Sequence, residues 1–143
     1  IILDKNLDIK LNTYIFKTVK KDNTIIFHNS LNHTKIRILE KKGIILIKSK
    51  LDSSQKFDLK IILKRLFYLG IRNLLIEGGD KLTKNMLKNR LINQFYMFKS
   101  LKNLPKNKKH VIFTSKKILS NNYKIRSEIS SKLAKDKITV YIR

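Results

Sequence analysis

The sequence predicts an α/β domain on a mixed sheet, and three observations carry that reading. Short apolar runs flanked by turn formers, such as "NTIIFHN", mark buried strands. The middle of the chain reads strand, helix, strand, helix, strand, an order that demands parallel crossovers. The last twenty-odd residues hold two alternating segments, "YKIRSEIS" and "KITVYIR", which read as a closing antiparallel hairpin.

In chain order, "IILD" opens as a strand. The alternation in "LDIKLNTYIF" places Ile9, Leu11 and Ile15 on one face of an extended segment. A buried strand follows at residues 24–28. "KIRILEKK" fits a short helix or an extended piece, Gly43 breaks it, and residues 44–48 form an apolar strand. "KLDSSQK" is a loop. The most strongly determined element follows it: Asp58 is a good N-cap, Leu59, Ile62, Leu63, Leu66 and Phe67 form an i, i+3, i+4 stripe, and Gly70 closes the helix. Residues 73–76 read as a strand. The Gly78-Gly79 turn leads into a second helix, from Asp80 to about Arg90, with Leu82, Met86 and Leu87 on one face. "NQFYMFKS" is a strand, "LKNLPKNKKH" a basic loop and "VIFTS" a short strand. The hairpin then closes the chain through a connection near Leu133 to Asp136. With 143 residues and no repeat or linker, residues 1–143 are expected to form a single domain.

Chemistry concentrates in "NLLIEGGDKLTKNML", residues 73–87. Right-handed crossovers put its glycine turn at the carboxyl end of a parallel strand, where ligands of open α/β sheets bind. A glycine pair before a helix lets the backbone approach an anion, and the free N–H groups and helix dipole favour phosphate there. Such a pair also serves tight strand-to-helix connections that bind nothing. Glu77 must be solvated in a pocket, paired with a cation, or used on a ligand.

Composition narrows the function classes. The chain has no cysteine and three scattered histidines, so no metal site is expected. No apolar run approaches the roughly 20 residues that span a bilayer and no leader opens the chain, so a cytoplasmic protein without a membrane partner is expected. The net charge of +23 invites a nucleic-acid reading. However, the cations are 27 Lys against 6 Arg, spread over the whole length alongside abundant Ile and Asn, as AT-rich coding produces. No aromatic-interleaved basic motif accompanies them, so specific nucleic-acid binding is not expected.

The stretch "FDLKIILKRLFYLGIRNLLIEGGDKLTKNMLKNRLINQFYMF" resembles the reductase domain of the bifunctional riboflavin-biosynthesis deaminase/reductase family. The matching residues are Asp58-Leu59, Gly70-Ile71, Leu74 to Gly79, Leu82 and Leu91, and "IILDKNLDIKLNTYIF" and "ITVYIR" are similar to the family's opening and final segments. The resemblance implies a dihydrofolate-reductase-like fold, with a mixed sheet, helices on both faces, a C-terminal antiparallel hairpin, and the N-terminal part of the domain missing. It also implies NADPH-dependent reduction of the ribosyl group of 5-amino-6-(5-phosphoribosylamino)uracil to ribityl, and a homodimer. By the same resemblance Glu77 faces the substrate and Gly78, Gly79, Asp80, Lys81, Leu82, Thr83, Lys84 and Asn85 line the NADPH phosphates. Lys5 stands near the cofactor where the family often has serine, and a cis Gly78-Gly79 peptide is expected.

The chain departs from the family in further places. Asp80 occupies a position where small or neutral residues are common; it reads as an N-cap, and in that role its charge would repel a pyrophosphate. Ile92-Asn93-Gln94 replaces Val-Asp-Glu, and "KSLKNLPKNKK" replaces a proline-to-glycine segment. Strands that precede "IILD" in the family, and its zinc deaminase domain, are not in this sequence, which reads as the C-terminal part of a longer reductase chain. The alternative is a non-catalytic module that keeps the dihydrofolate-reductase-like fold for assembly or dimerisation.

Overall fold

The structure is a computed structural model that describes residues 1–21, 23–100, 112–130 and 136–143. It divides into two compact units, Ile1–Asn73 and Leu74–Arg143.

The first unit holds β1 (Ile2–Leu3), α1 (Tyr14–Thr18), β2 (Ile25–His28), α2 (His33–Lys41), β3 (Ile45–Lys48) and α3 (Leu59–Tyr68). The strands form a parallel sheet in the order β1-β2-β3, with Ile2 opposite Ile26, Leu3 opposite Phe27, and Ile25 to His28 opposite Ile45 to Lys48. Successive strand residues face opposite sides, so the central "IIFH" run must be covered twice. On one face Ile26 packs with Leu7, Leu39 and Ile44, supported by Phe16 of α1 and Ile36 of α2. On the other face Phe27 packs with Ile62 and Leu66 of α3. Helices therefore lie on both faces of this sheet.

Local chemistry sets the helix ends. The Asp58 carboxylate accepts the Lys60 and Ile61 amides at 2.9 and 3.3 Å. At the other end of α3, Gly70 adopts φ +84°, and the Gly70 and Ile71 amides reach the Phe67 and Leu66 carbonyls, both at 3.0 Å, closing a Schellman motif. The stripe that begins at Leu59 buries Ile62 and Leu66 and leaves Phe67, at its edge, half exposed. Gly43 ends α2 at φ +87°, and a Cβ there would lie 2.9 Å from the Lys21 Cα, so both conformation and close approach require glycine.

The extended reading of residues 7–16 is corrected. The Asp4 carboxylate takes the Asp8 and Ile9 amides, both at 2.8 Å, and Leu7 turns through φ +60° into the core. Thr13 then caps α1 through the Phe16 amide. Ile9 and Phe16 pack inward while Leu11 and Ile15 are exposed, because a side chain and a cap broke the period of two. The ambiguity at "KIRILEKK" resolves as helix: Asn32 caps α2 by accepting the Lys35 amide at 3.0 Å.

The second unit holds α4 (Asp80–Lys88), β4 (Gln94–Lys99), α5 (Lys116–Asn122), β5 (Lys124–Ser130) and β6 (Lys137–Ile142). The expected hairpin pairs β5 with β6, and β6 also pairs antiparallel with β4, giving the order β4-β6-β5. Leu87, Leu119 and Tyr123 form the core, against Phe95, Met97 and Tyr141. α4 closes at Arg90, which takes φ +53°, and the Arg143 guanidinium donates to the Arg90 carbonyl at 2.6 Å.

Two strands read from the sequence are absent. Residues 73–76 are irregular and pair with no strand among the described residues, with Leu75 81% exposed. A strand exists only through its ladder, and an apolar run without a neighbour stays irregular. Of "VIFTS", residues 112–115 are irregular and Val111 lies outside the described residues, as do the basic loop 101–110 and most of the hairpin connection. Ser115 instead precedes α5, which the sequence reading missed because a seven-residue helix is too short to show a period.

Truncating Leu66, 2% exposed, to alanine should cost about 2–5 kcal/mol in urea unfolding, whereas Ile61→Ala on the exposed side of the same helix should stay within about 0.5 kcal/mol.

Candidate active site

The second unit opens on the turn that the sequence singled out. Glu77 is exposed, and none of the described hydrogen bonds involves it, so neither a lysine partner nor a capping role accounts for it. The Gly78-Gly79 peptide is trans, which overturns the cis expectation. The trans form is the ordinary one, since a cis bond between non-proline residues costs roughly 2.5–4 kcal/mol.

The two glycines have different reasons to be glycine. A Cβ on Gly78 would sit 2.7 Å from the Leu82 Cδ2 and 3.1 Å from its Cβ, so Gly78 makes room for the half-buried Leu82 side chain. Gly79 has φ −68° and ψ 171°, a conformation open to any residue, and nothing lies within 4 Å of a Cβ placed there. Neither backbone strain nor a close approach among the described residues requires glycine at position 79. Gly79 is also the N-cap of α4 and offers no side-chain cap, so the amides of Asp80, Lys81 and Leu82 have no capping partner, the Thr83 amide being the first to bond, to the Gly79 carbonyl at 3.2 Å.

Around these amides, Lys81 is exposed and Lys84 lies close enough to Asp80 to favour its charged form. The Thr83 hydroxyl donates to the Gly78 carbonyl at 3.4 Å. Asn85 is tied along the helix, its Oδ1 accepting from the Asn89 Nδ2 at 2.6 Å. The Asp80 carboxylate does not cap the helix. Its two oxygens accept from the Thr114 amide at 2.9 Å and the Thr114 hydroxyl at 2.6 Å, and these bonds hold its pKa below the usual carboxylate range. Thr114 is a partner of Asp80 that the sequence did not reveal, since 34 residues separate the two and no motif marks the pair.

Open amides at the positive end of α4, flanking lysines and a glycine whose missing Cβ leaves space make a donor set suited to a phosphate group. The residues present fit the phosphates of a dinucleotide.

Lys5 belongs to the first unit. It follows β1 at the carboxyl edge of the parallel sheet, where its carbonyl accepts the Asn29 amide at 2.8 Å. At the same edge the Asn29 side chain donates to the Ser49 carbonyl at 2.8 Å, and His28 is buried with an unpartnered Nδ1. Burial first, and the Lys48 charge second, push the His28 pKa below its ordinary value.

Fold and turn together describe an α/β chain with parallel and antiparallel sheets and an uncapped glycine turn at the start of α4. The family described as the RibD C-terminal domain matches residues 1–136, and the chain belongs to that family. Among solved structures it is similar to RibD of Acinetobacter baumannii, with a TM-score of 0.71 for form 2 and 0.70 for form 1 at 18% identity, covering 99% of this chain and 36% of that one. A pyrimidine reductase-like protein of Corynebacterium diphtheriae matches with a TM-score of 0.69 at 15% identity, over 98% of this chain and 58% of that one. The fold is thus dihydrofolate-reductase-like, and the chain spans about a third to somewhat over half the length of these relatives. No helix among the described residues is long and apolar enough to cross a membrane.

A depressed histidine pKa makes the unfolded chain the better proton binder below neutrality. Stability should therefore be full above the ordinary imidazole range and fall as pH drops through it. The urea midpoint should decline more between pH 7.5 and pH 5.5 in the wild type than in His28→Gln.

Proposed function

We propose that this chain is the reductase part of a cytoplasmic enzyme that uses NADPH to reduce the ribosyl group of 5-amino-6-(5-phosphoribosylamino)uracil to ribityl in riboflavin biosynthesis. Membership of the RibD C-terminal domain family supports the reaction. The observation that carries the cofactor reading is Gly79: its backbone angles suit any residue, the space beside it is open, and the amides behind it are uncapped. Glycine also serves there as the N-cap of α4, and the open space with the uncapped amides suits a phosphate in addition.

In this reading the amides of Gly79, Asp80, Lys81 and Leu82 meet the cofactor phosphates, and Lys81 and Lys84 supply positive charge. Gly78 and Leu82 shape the turn, Thr83 ties it to its own helix, and Asn85 lines the next turn. NADPH supplies the hydride. The chain's own task is to orient the sugar and stabilise developing charge, and the exposed, unengaged Glu77 is suited to accept hydrogen bonds from ribosyl hydroxyls and to favour positive charge at the carbon that is reduced. We extend the proposal to a homodimer. Its support is an apolar row across the second sheet, where Phe98 and Ile129 flank Ile138 and are 72% and 49% exposed.

Two variants test the site in the complete protein. Gly79→Val should cost on the order of 1 kcal/mol in stability as a poorer N-cap, yet raise the NADPH dissociation constant about tenfold or more; unchanged titrations would remove the turn from the cofactor site. Glu77→Gln keeps the shape and removes the charge, so steady-state kinetics should show turnover reduced about tenfold or more with little change in NADPH affinity. Wild-type turnover in that variant would take Glu77 out of the reaction.

A further inference from the structure

Asp80 is the one acidic residue in the first turn of α4, next to the uncapped amides that the reading above gives to the cofactor phosphates. An unrestrained carboxylate at a helix start turns toward the open amides, because that is where its charge is best stabilised. It would then occupy the surface a phosphate needs, and its charge would oppose the phosphate. In the structure it does not turn to the amides, since both carboxylate oxygens are engaged by Thr114, and its charge is held at that distance. Thr114 is itself well anchored. The next residue, Ser115, is fully buried and precedes α5, whose Leu119 shares a core with Leu87 of α4. The bond thus joins the first residue of α4 to a point fixed on the same core.

We propose that Thr114 is a positioning residue that holds the Asp80 carboxylate away from the amides of residues 80–82 and so keeps the turn open to the phosphates of the cofactor. The inference rests on the NADPH reading above and assigns to Thr114 a part in affinity that its distance in sequence conceals. It also accounts for the tolerance of an acidic residue at position 80: its charge is spent on two donors at 2.6 and 2.9 Å, and the neighbouring Lys84 offsets what remains.

The test measures NADPH dissociation constants by fluorescence titration, and inorganic pyrophosphate binding by the NMR shift of the Gly79 amide, in the complete protein. Thr114→Val removes the hydroxyl donor at nearly constant shape. It should weaken both ligands about three- to tenfold, the scale of one charge-assisted hydrogen bond, while turnover at saturating NADPH stays within about twofold. Thr114→Ser should bind as the wild type does. Asp80→Asn removes the charge that Thr114 restrains, so it should bind both ligands at least as tightly as the wild type, and adding it to Thr114→Val should restore affinity. A role in folding alone would leave the double variant as weak as Thr114→Val, and that result overturns the proposal. Should Thr114→Val fail to fold, Asp80→Asn decides: weaker ligand binding than in the wild type overturns the proposal. A wild-type protein that binds pyrophosphate at Gly79 but not NADPH would sink the cofactor reading and leave the Thr114 proposal to be judged on the pyrophosphate series.

Discussion

Burial of β2 on both faces is the constraint on which the first unit depends. A strand with Ile26 and Phe27 fully enclosed has no water to satisfy its backbone, so its amides and carbonyls must be paired on both edges. β1 and β3 do this in parallel register. The two apolar faces then need cover, supplied by α1 and α2 against Ile26 and by α3 against Phe27. Parallel strands all leave the core at the same end, so Asp4 and Lys5, His28 and Asn29, and Ser49 emerge side by side. Their mutual bonds follow: Asp4 N–H to the Phe27 carbonyl at 3.0 Å, Asn29 N–H to Lys5 at 2.8 Å and Ser49 N–H to His28 at 2.8 Å.

The second unit solves the same problem with one covered face. Phe95, Met97 and Tyr141 point to the core shared with α4 and α5, and the alternate residues Tyr96 and Phe98 point out. α4 is held along its length by Leu87 and at its carboxyl end by the αL turn at Arg90, to which Arg143 is bonded. Because the body of the helix is fixed, its amino end has a defined place and direction, which a group recognised by backbone amides requires.

At that amino end the glycine pair divides the work. Gly78 yields space to Leu82 within the protein, whereas no described atom lies within 4 Å of a Cβ at Gly79. The carboxylate of the acidic residue that follows, Asp80, is engaged by Thr114. Site and fold therefore meet in α4: the core fixes the helix, Gly78 fits its first turn, and Thr114 restrains its one first-turn charge.

Much of this was legible in the amino-acid order. The N-cap Asp58, the stripe through Leu66 and the left-handed Gly70 act within a few residues of each other, so their spacing is enough to determine α3. The buried run at 25–28, the strand 94–99 and the closing hairpin were readable for the same reason, as was the turn from Glu77 to Asp80. Tertiary structure decided the rest. Residues 7–16 follow the Asp4 carboxylate and the Thr13 cap instead of their alternation. Residues 73–76 carry the composition of a strand, but composition cannot supply a hydrogen-bonding neighbour. The role of Asp80 depends on Thr114, 34 residues away. Local sequence determines what a residue can bond to within a turn or two; which distant group arrives to accept or donate is decided only when the chain packs, because that encounter depends on the whole core and not on any spacing along the chain.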